Sequence, residues 1–336
     1  MSSYPRFRLI MVIFVLGLLA LPGTVSAKPK PGAYTITDLG TLGGTDSFAQ
    51  WINEHGQIVG QGQIVSGEFH AALWENGVPT DLGTLGGPNS FAERINNKGQ
   101  ISGWSDLADG RFHAVLWEKK GTMIDLGTLG GDMSAATVVN DRGQVVGSAD
   151  TADGVPHTFL WTRRDGMIDL GTLGGPTSYA NGINNKGQVV GNSDTTGGEF
   201  HAYLWDNGVM TDLGTLGGPN SLATEIDDQG RVVGFADTAD GETHAFLWQD
   251  GVMTDLGDFG GTFSLAAATN PRGQVVGGAD TAPGGPPHAF IWQNGVMTDI
   301  GTLGGDFSVA WGINNKGQIV GQSQGTNGEF HAVLWQ

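Results

Sequence analysis

The chain has 336 residues, 58 of them glycine, no cysteine, and a formal charge of −18 at pH 7. An acidic excess of this size repels nucleic acid and anionic lipid, and without cysteine there is no disulfide framework to staple the fold. Beyond the N-terminus no segment approaches the run of about 18 apolar residues that marks a membrane-spanning helix.

In chain order, residues 1–8 carry Arg6 and Arg8 and no acid, residues 9–22 are an apolar run, and residues 25–27 are Val-Ser-Ala. This pattern predicts a secretory signal peptide over 1–27, cleaved after Ala27. An uncleaved anchor is the alternative, but the run is short for a hydrocarbon core of about 30 Å. Removal of 1–27 takes away two arginines and no acid, so the charge moves from −18 to −20. The expected address is secreted or extracellular, with the periplasm as the other possibility. Residues 28–33 read as a short linker, and 34–336 as one repetitive domain.

That domain is built on seven copies of one unit. Trp74, Trp117, Trp161, Trp205, Trp248, Trp292 and Trp335 each end a five-residue motif of the type HAFLW, at spacings of 43 or 44 residues. DLGTLGG, or a close variant, begins at Asp38, Asp81, Asp125, Asp169, Asp212, Asp255 and Asp299. INNKGQVVG (Ile183–Gly191) typifies a third motif, altered most in IDDQGRVVG (Ile226–Gly234) and TNPRGQVVG (Thr269–Gly277). Each unit holds four short apolar segments separated by turn chemistry, without helical periodicity. Segment A runs as in Ser178–Asn184, B as in Gln188–Asn192, C is the HAFLW motif, and D runs as in Val209–Leu213. Asn-Gly between C and D, as in Trp205–Val209, predicts a type I′ hairpin, whose central residues both need φ > 0. Two copies carry longer links, at Lys119-Lys120 and Arg163-Arg164; insertions at hairpin tips cost little.

Four strands in 43–44 residues fit a propeller blade. The predicted fold is all-β: a seven-bladed β-propeller with four antiparallel strands per blade. A linear solenoid would need atypical end repeats, and the first and last copies here resemble the middle ones. Residues 34–39 are a segment D with no C before it, and the seventh C ends at Trp335 with no D after it. Pairing of these two closes the ring and removes an exposed strand edge. Small residues in A and large ones in C suit blades that are crowded near the axis and splayed at the rim.

The combination of HAxLW, DLGTLGG and INNKGQVVG resembles the HAF-repeat family of extracellular bacterial proteins, over essentially Tyr34 to Gln336. The resemblance implies export and repetition and brings no defined activity. The hairpins and closure also look like kelch-type propellers, in architecture only.

Few motifs carry chemistry. The seven segment-C histidines lie one per blade, too far apart to converge on one ion at about 2.0–2.1 Å, and are expected to bond within or between blades. GTLGG is not a phosphate-binding loop, since no helix follows it. Asp106 and Asp109, Asp150 and Asp153, and Asp237 and Asp240 give two oxygens per loop where calcium takes about 6–8. Solvated loops are the simpler reading and calcium the other; no metal-ligand set and no cofactor is predicted. Trp104 reads as core.

The copies disagree most at the two positions before the isoleucine of segment A. This makes Gln50, Trp51, Glu93, Arg94, Asn181, Glu225 and Trp311 the candidate ligand-binding residues, with Trp51 and Trp311 on neighbouring innermost strands. Aromatic beside polar residues suit a sugar or a peptide side chain; loose filler of the channel is the alternative. The leading expectation is a monomeric, non-catalytic recognition or scaffold protein that binds a polysaccharide or a protein surface at one face. A divalent-cation-dependent propeller lyase or hydrolase, and a structural envelope component, are the rivals.

Overall fold

The computed structural model describes residues 36–118 and 121–336. The expected signal peptide, linker and first residues of the closing segment lie outside the described residues, as do Lys119 and Lys120. Twenty-eight strands form seven four-stranded antiparallel sheets, each ordered A-B-C-D, and no helix occurs among the described residues. The molecule is a seven-bladed β-propeller.

Blade seven is completed from the other end of the chain. Its strands A (Gly304–Ile313), B (Ile319–Gly325) and C (Phe330–Trp335) are joined by Ile36–Asp38, in the register Ile36↔Trp335, Thr37↔Leu334 and Asp38↔Val333. Leu39, 7% exposed, continues into the core, and its N–H donates to Ala332 O at 3.2 Å.

The C–D links form as their residues dictate: Asn76 and Gly77 stand at φ of 53° and 76°, both in the left-handed region that a type I′ turn requires. Strand A is longer than the sequence suggests. In blade four it runs over Gly174–Ile183 and so includes the double glycine, which offers no side-chain pattern to read.

The core lies between blades rather than within one layer. One cluster, for example, joins Ala49, Ile52, Ile58 and Trp74 of blade one to Val320 and Ala332 of blade seven. Ring volume is shared between two positions of strand C. Where the third residue of the motif is Ala72, Val115 or Val333, the tryptophan two residues on (Trp74, Trp117 or Trp335) is fully buried. Where it is Phe159, Tyr203, Phe246 or Phe290, that ring is fully buried instead and Trp161, Trp205, Trp248 and Trp292 are half-exposed. At native packing density the space holds one large ring per blade.

Each strand-C histidine reaches the aspartate of strand D in its own sheet, as His70 Nδ1 does to Asp81 Oδ2 at 2.8 Å. In blade seven the partner is Asp38 on the N-terminal strand, 2.8 Å from His331 Nδ1. The same aspartates accept the N–H two residues on, as Asp81 Oδ1 does from Gly83 at 2.8 Å, and so shape the start of the D–A link.

Candidate functional site

Strands A surround the axis, and besides a register shift near the start of six of them, all seven carry a β-bulge in the same later place. Ala49 pairs with Gly60 and Trp51 with Val59, so Gln50 is the extra residue. The register shifts likewise around Glu93, Thr137, Asn181, Thr224, Ala267 and Trp311. The first member of every variable pair is therefore the bulged residue. Beside the bulge the two strands approach closely: a Cβ on Gly60 or Gly191 would overlap the carbonyl oxygen of Phe48 or Tyr179, two residues before the bulged one, so the QVVG motif needs its glycine. Bulges free a residue from the ladder and re-aim its side chain.

The bulged residues divide by task. Thr137 Oγ1, Asn181 Nδ2 and Thr224 Oγ1 each donate at 2.8 Å to the carbonyl of Ala180, Ala223 and Ala266 in the following blade. Asn181 is thus a stitch between blades four and five, with its amide already engaged. Trp311 is 9% exposed and packs with Ala267 and Val309. Gln50 is half-buried beside the axis. Burial pushes the Glu93 carboxyl up to about 6.

The second members form the mouth of the channel. Trp51, Arg94, Val138, Gly182, Glu225 and the adjacent Thr269 line a cavity of about 200 Å³ on the face that carries the A–B and C–D turns, termed here the turn face; Glu54, Asp141, Asp227 and Asp228 lie around its rim, so among the described residues Arg94 is the one cation of an otherwise acidic mouth. The Arg94 guanidinium lies 4.0 Å over the Trp51 ring. Trp51 in turn packs against Gly312, where a Cβ would come within 3.0 Å of the indole. Strands A of blades seven and one are neighbours; Trp311 packs in the cluster with Ala267 and Val309, and Trp51 lies under the arginine. Among the described residues no carboxylate pairs with Arg94; its NH1 makes only a long contact, 3.4 Å, to Glu93 O. Glu225 Oε2 accepts the Thr269 N–H at 2.9 Å. Burial, only partly offset by the charge of Arg94, pushes Glu225 up to about 8, so it is mainly neutral at pH 7.

A hydrogen-bonded girdle frames this mouth. Asn53, Asn96, Asn140 and Asn184 each donate Nδ2 to the backbone carbonyl of the equivalent residue one blade on, at 2.9–3.1 Å. Asn270 continues it to Asn314 O at 3.1 Å, and Asn314 returns to Asn53 O at 3.4 Å. Blade five has Asp227 here, which cannot donate. Arg231 replaces the usual glutamine four residues on, bonds Asp227 Oδ2 through Nε at 2.7 Å, and supplies the missing donor to Asn270 O at 2.8 Å. By motif alone IDDQGRVVG is only an altered copy. The signal it held was two complementary charges introduced together, four residues apart.

Outboard on the turn face, a hollow of about 400 Å³ is lined by Lys98, Arg142, Arg163, Arg164 and Trp161. Arg163 pairs with Glu118 and Arg164 with Asp165. Lys98 and Arg142 make no ion pair among the described residues. Three aspartates of the B–C loops are held by protein groups: Asp106 accepts from Asn89 Nδ2 at 2.9 Å, Asp237 from Asn220 Nδ2 at 2.8 Å, and Asp109 pairs with Arg111 at 2.7 Å. Trp104 stacks on Phe91 with centroids 4.2 Å apart.

No family model matches the sequence, and no curated protein matches it. Solved structures do. The propeller domain of the trilobed protease of Pyrococcus furiosus, described for an open velcro topology, aligns with a TM-score of 0.59 over 87% of this chain and 96% of that one, at 9% identity. A puromycin-hydrolysing peptidase of Mycobacterium tuberculosis gives 0.57 over 91% of this chain at 11% identity. The acylaminoacyl peptidase of Pyrococcus horikoshii gives 0.55 over 87% at 12% identity. The chain spans about half the length of those two peptidases, 53% of each. The likeness is one of fold. It covers the blades and carries no residue of the channel mouth with it.

Proposed function

We propose that this chain is an exported, non-catalytic recognition module that binds a carboxylate-bearing polysaccharide on its turn face, where Lys98, Arg142, Arg163 and Arg164 make a local basic patch on a chain that is acidic as a whole. A carboxylate of the ligand enters the channel mouth at Arg94, and the polymer continues over the basic hollow of blades two and three. Arg94 carries the reading: a guanidinium held inside a channel and fixed on an indole, with no carboxylate at ion-pair distance, although Glu225 and Glu93 are near enough to act on its charge. A cation withdrawn from bulk water is costly until it is paired and hydrogen-bonded, and the planar fork of arginine suits a carboxylate. The cavity of about 200 Å³ is of a size for one sugar ring or one side chain rather than a drug-sized ligand. Neutral Glu225 adds a hydroxyl donor across the mouth. The N-terminal leader pattern supports export, and the repeat motifs support a place among HAF-repeat proteins.

Calorimetric titration with uronic-acid oligosaccharides, their neutral counterparts and acidic peptides tests this. The acidic oligosaccharide should bind and the neutral one should not. Arg94→Gln, which removes a charged hydrogen bond worth about 1.5–3 kcal/mol, should weaken binding by about 10–150-fold with the fold intact. Equal binding of the neutral sugar, or full binding by Arg94→Gln, contradicts the reading; a preference for the peptide moves the ligand to a protein surface.

The pH dependence has a definite sign. Glu225 ionises at about 8 in the fold and near about 4.3 in the unfolded chain. The unfolded chain therefore loses this proton first, and stability from this group is present below that unfolded value and lost as pH rises to about 8. Ionised Glu225 also competes for Arg94, so anion binding should weaken as pH passes 8. Glu225→Gln should remove both trends between pH 6.5 and 8.5, read by Tm and by titration. An unchanged pH profile in Glu225→Gln would exclude Glu225 as their source.

A further inference from the structure

The opposite face carries the B–C loops and D–A links, and one link there departs from the other six. Thr41, Thr84, Thr128, Thr172, Thr215 and Thr302 occupy the third position after the strand-D aspartate; the link from blade five to blade six has Asp258. In each of the six, threonine Oγ1 accepts the N–H two residues on, as Thr41 does from Gly43 at 3.2 Å. Asp258 keeps this bond with Oδ1, from Gly260 N. Its second oxygen is left over, and Oδ2 stands 3.4 Å from His244 Nε2.

Glu242 Oε2 stands 3.4 Å from the same nitrogen. The ring cannot turn away, because His244 Nδ1 is 2.9 Å from Asp255 Oδ2. Nε2 is shut off from solvent and has no hydrogen-bond partner. With Nδ1 held by Asp255, Nε2 faces two carboxylates, an arrangement that is satisfied by a proton on the ring or by a cation between the three groups, and the distances separate the two. The side chains of His244 and Asp258 are each 14% exposed, that of Glu242 41%.

The distances fit that cation. An N–H···O bond spans about 2.7–3.2 Å, so 3.4 Å is long for one. A tetrahedral ion with bonds of about 2.0–2.2 Å to histidine nitrogen and carboxylate oxygen sets its ligands about 3.3–3.5 Å apart along each edge. The three ligand atoms lie within 4.8 Å of one another. A carboxylate on the far ring nitrogen, here Asp255, is the usual partner that orients a metal-bound histidine.

We infer that Glu242, His244 and Asp258 form a binding site for one divalent transition-metal cation of the zinc class. One nitrogen and two oxygens do not make the shell of about 6–8 oxygens that calcium prefers. The fourth position opens to solvent beside Glu242. The ion joins strand C of blade five (Thr243–Gln249) to the following link, at the one junction where strand A is short: Ser264–Thr269 has 6 residues, against 10 in blade five. The seven histidines are too far apart to share an ion; a single histidine suffices here because the carboxylates come from its own loop and link. Glu68 with His70, Glu199 with His201, and Glu329 with His331 repeat two of the three ligands beside a threonine link, and form no such site.

The test is calorimetric titration of chelator-treated protein with zinc chloride, with cobalt(II) as the spectroscopic probe. One tight equivalent of zinc per chain, a raised Tm, and the visible absorption of four-coordinate cobalt are expected. Asp258→Thr, which restores the residue of the other six links, should lose that equivalent and the cobalt spectrum while its metal-free Tm stays at or above that of the parent. No tight equivalent in the parent, only weak binding at several exposed carboxylates, or the same equivalent in Asp258→Thr would overturn the site.

Discussion

Arg231→Gln should lower the unfolding free energy by about 3–5 kcal/mol, the usual cost of removing one partner from a buried ion pair. Asp227 and Arg231 side chains are 5% and 12% exposed. The variant leaves the Asp227 carboxylate beside the channel without its guanidinium and takes the donor from Asn270 O. Asp227→Asn alone errs in the other direction and strands the arginine. The double variant Asp227→Asn with Arg231→Gln reproduces the pair that the other six blades carry, in which the asparagine bonds the glutamine four residues on, as Asn184 Nδ2 does to Gln188 Oε1 at 2.7 Å. It should return to within about 1 kcal/mol of the parent, giving a large coupling energy in a double-mutant cycle. Denaturant unfolding of the four proteins measures this. An Arg231→Gln protein as stable as the parent would mean that the girdle carries no load in blade five.

Deletion of residues 34–39 should be the more damaging change. It removes the Ile36–Asp38 ladder, the Asp38 partner of His331 and the buried Leu39. Loss of one buried leucine side chain alone costs about 2–5 kcal/mol. The deletion adds an open strand edge along Phe330–Trp335, a template for association with other chains. The expected result is a large fall in Tm and a shift to oligomers in size-exclusion chromatography. Asp38→Ala keeps the ladder and should cost much less. A deletion protein that stays monomeric and fully stable would show that closure contributes little to the ring.

Much of the fold was legible because its signals are local. Asn-Gly fixes the C–D turns, the motif spacing fixes the blade count, and a lone segment D at Asp38 facing a missing one after Trp335 fixes the closure. What depends on neighbours was not legible. The sequence treats seven tryptophans alike, whereas burial divides them according to the residue two positions earlier, because both compete for one inter-blade space. The channel positions were identified from their variability, but a bulge leaves no mark on apolar periodicity. The reading therefore could not tell that Arg94 and Glu225 line the mouth while Trp311 and Asn181 serve packing and stitching. The single departure at Asp258 lay in plain view, and its partners became visible only when the link folded back over strand C.

The bulges have a consequence for how such a molecule can change. At every blade one residue is released from the ladder, and two residues before it the strand lies close over a glycine of strand B. The side chain at the released position and the next one can vary in charge and size without a shift in register, as Trp51 beside Gly312 and Thr224 beside Glu225 already illustrate. The axis therefore resembles a keyboard of seven independently settable keys on a frame that does not move. A new specificity needs only a few substitutions near the mouth, and repeats copied whole from one another remain compatible with the ring.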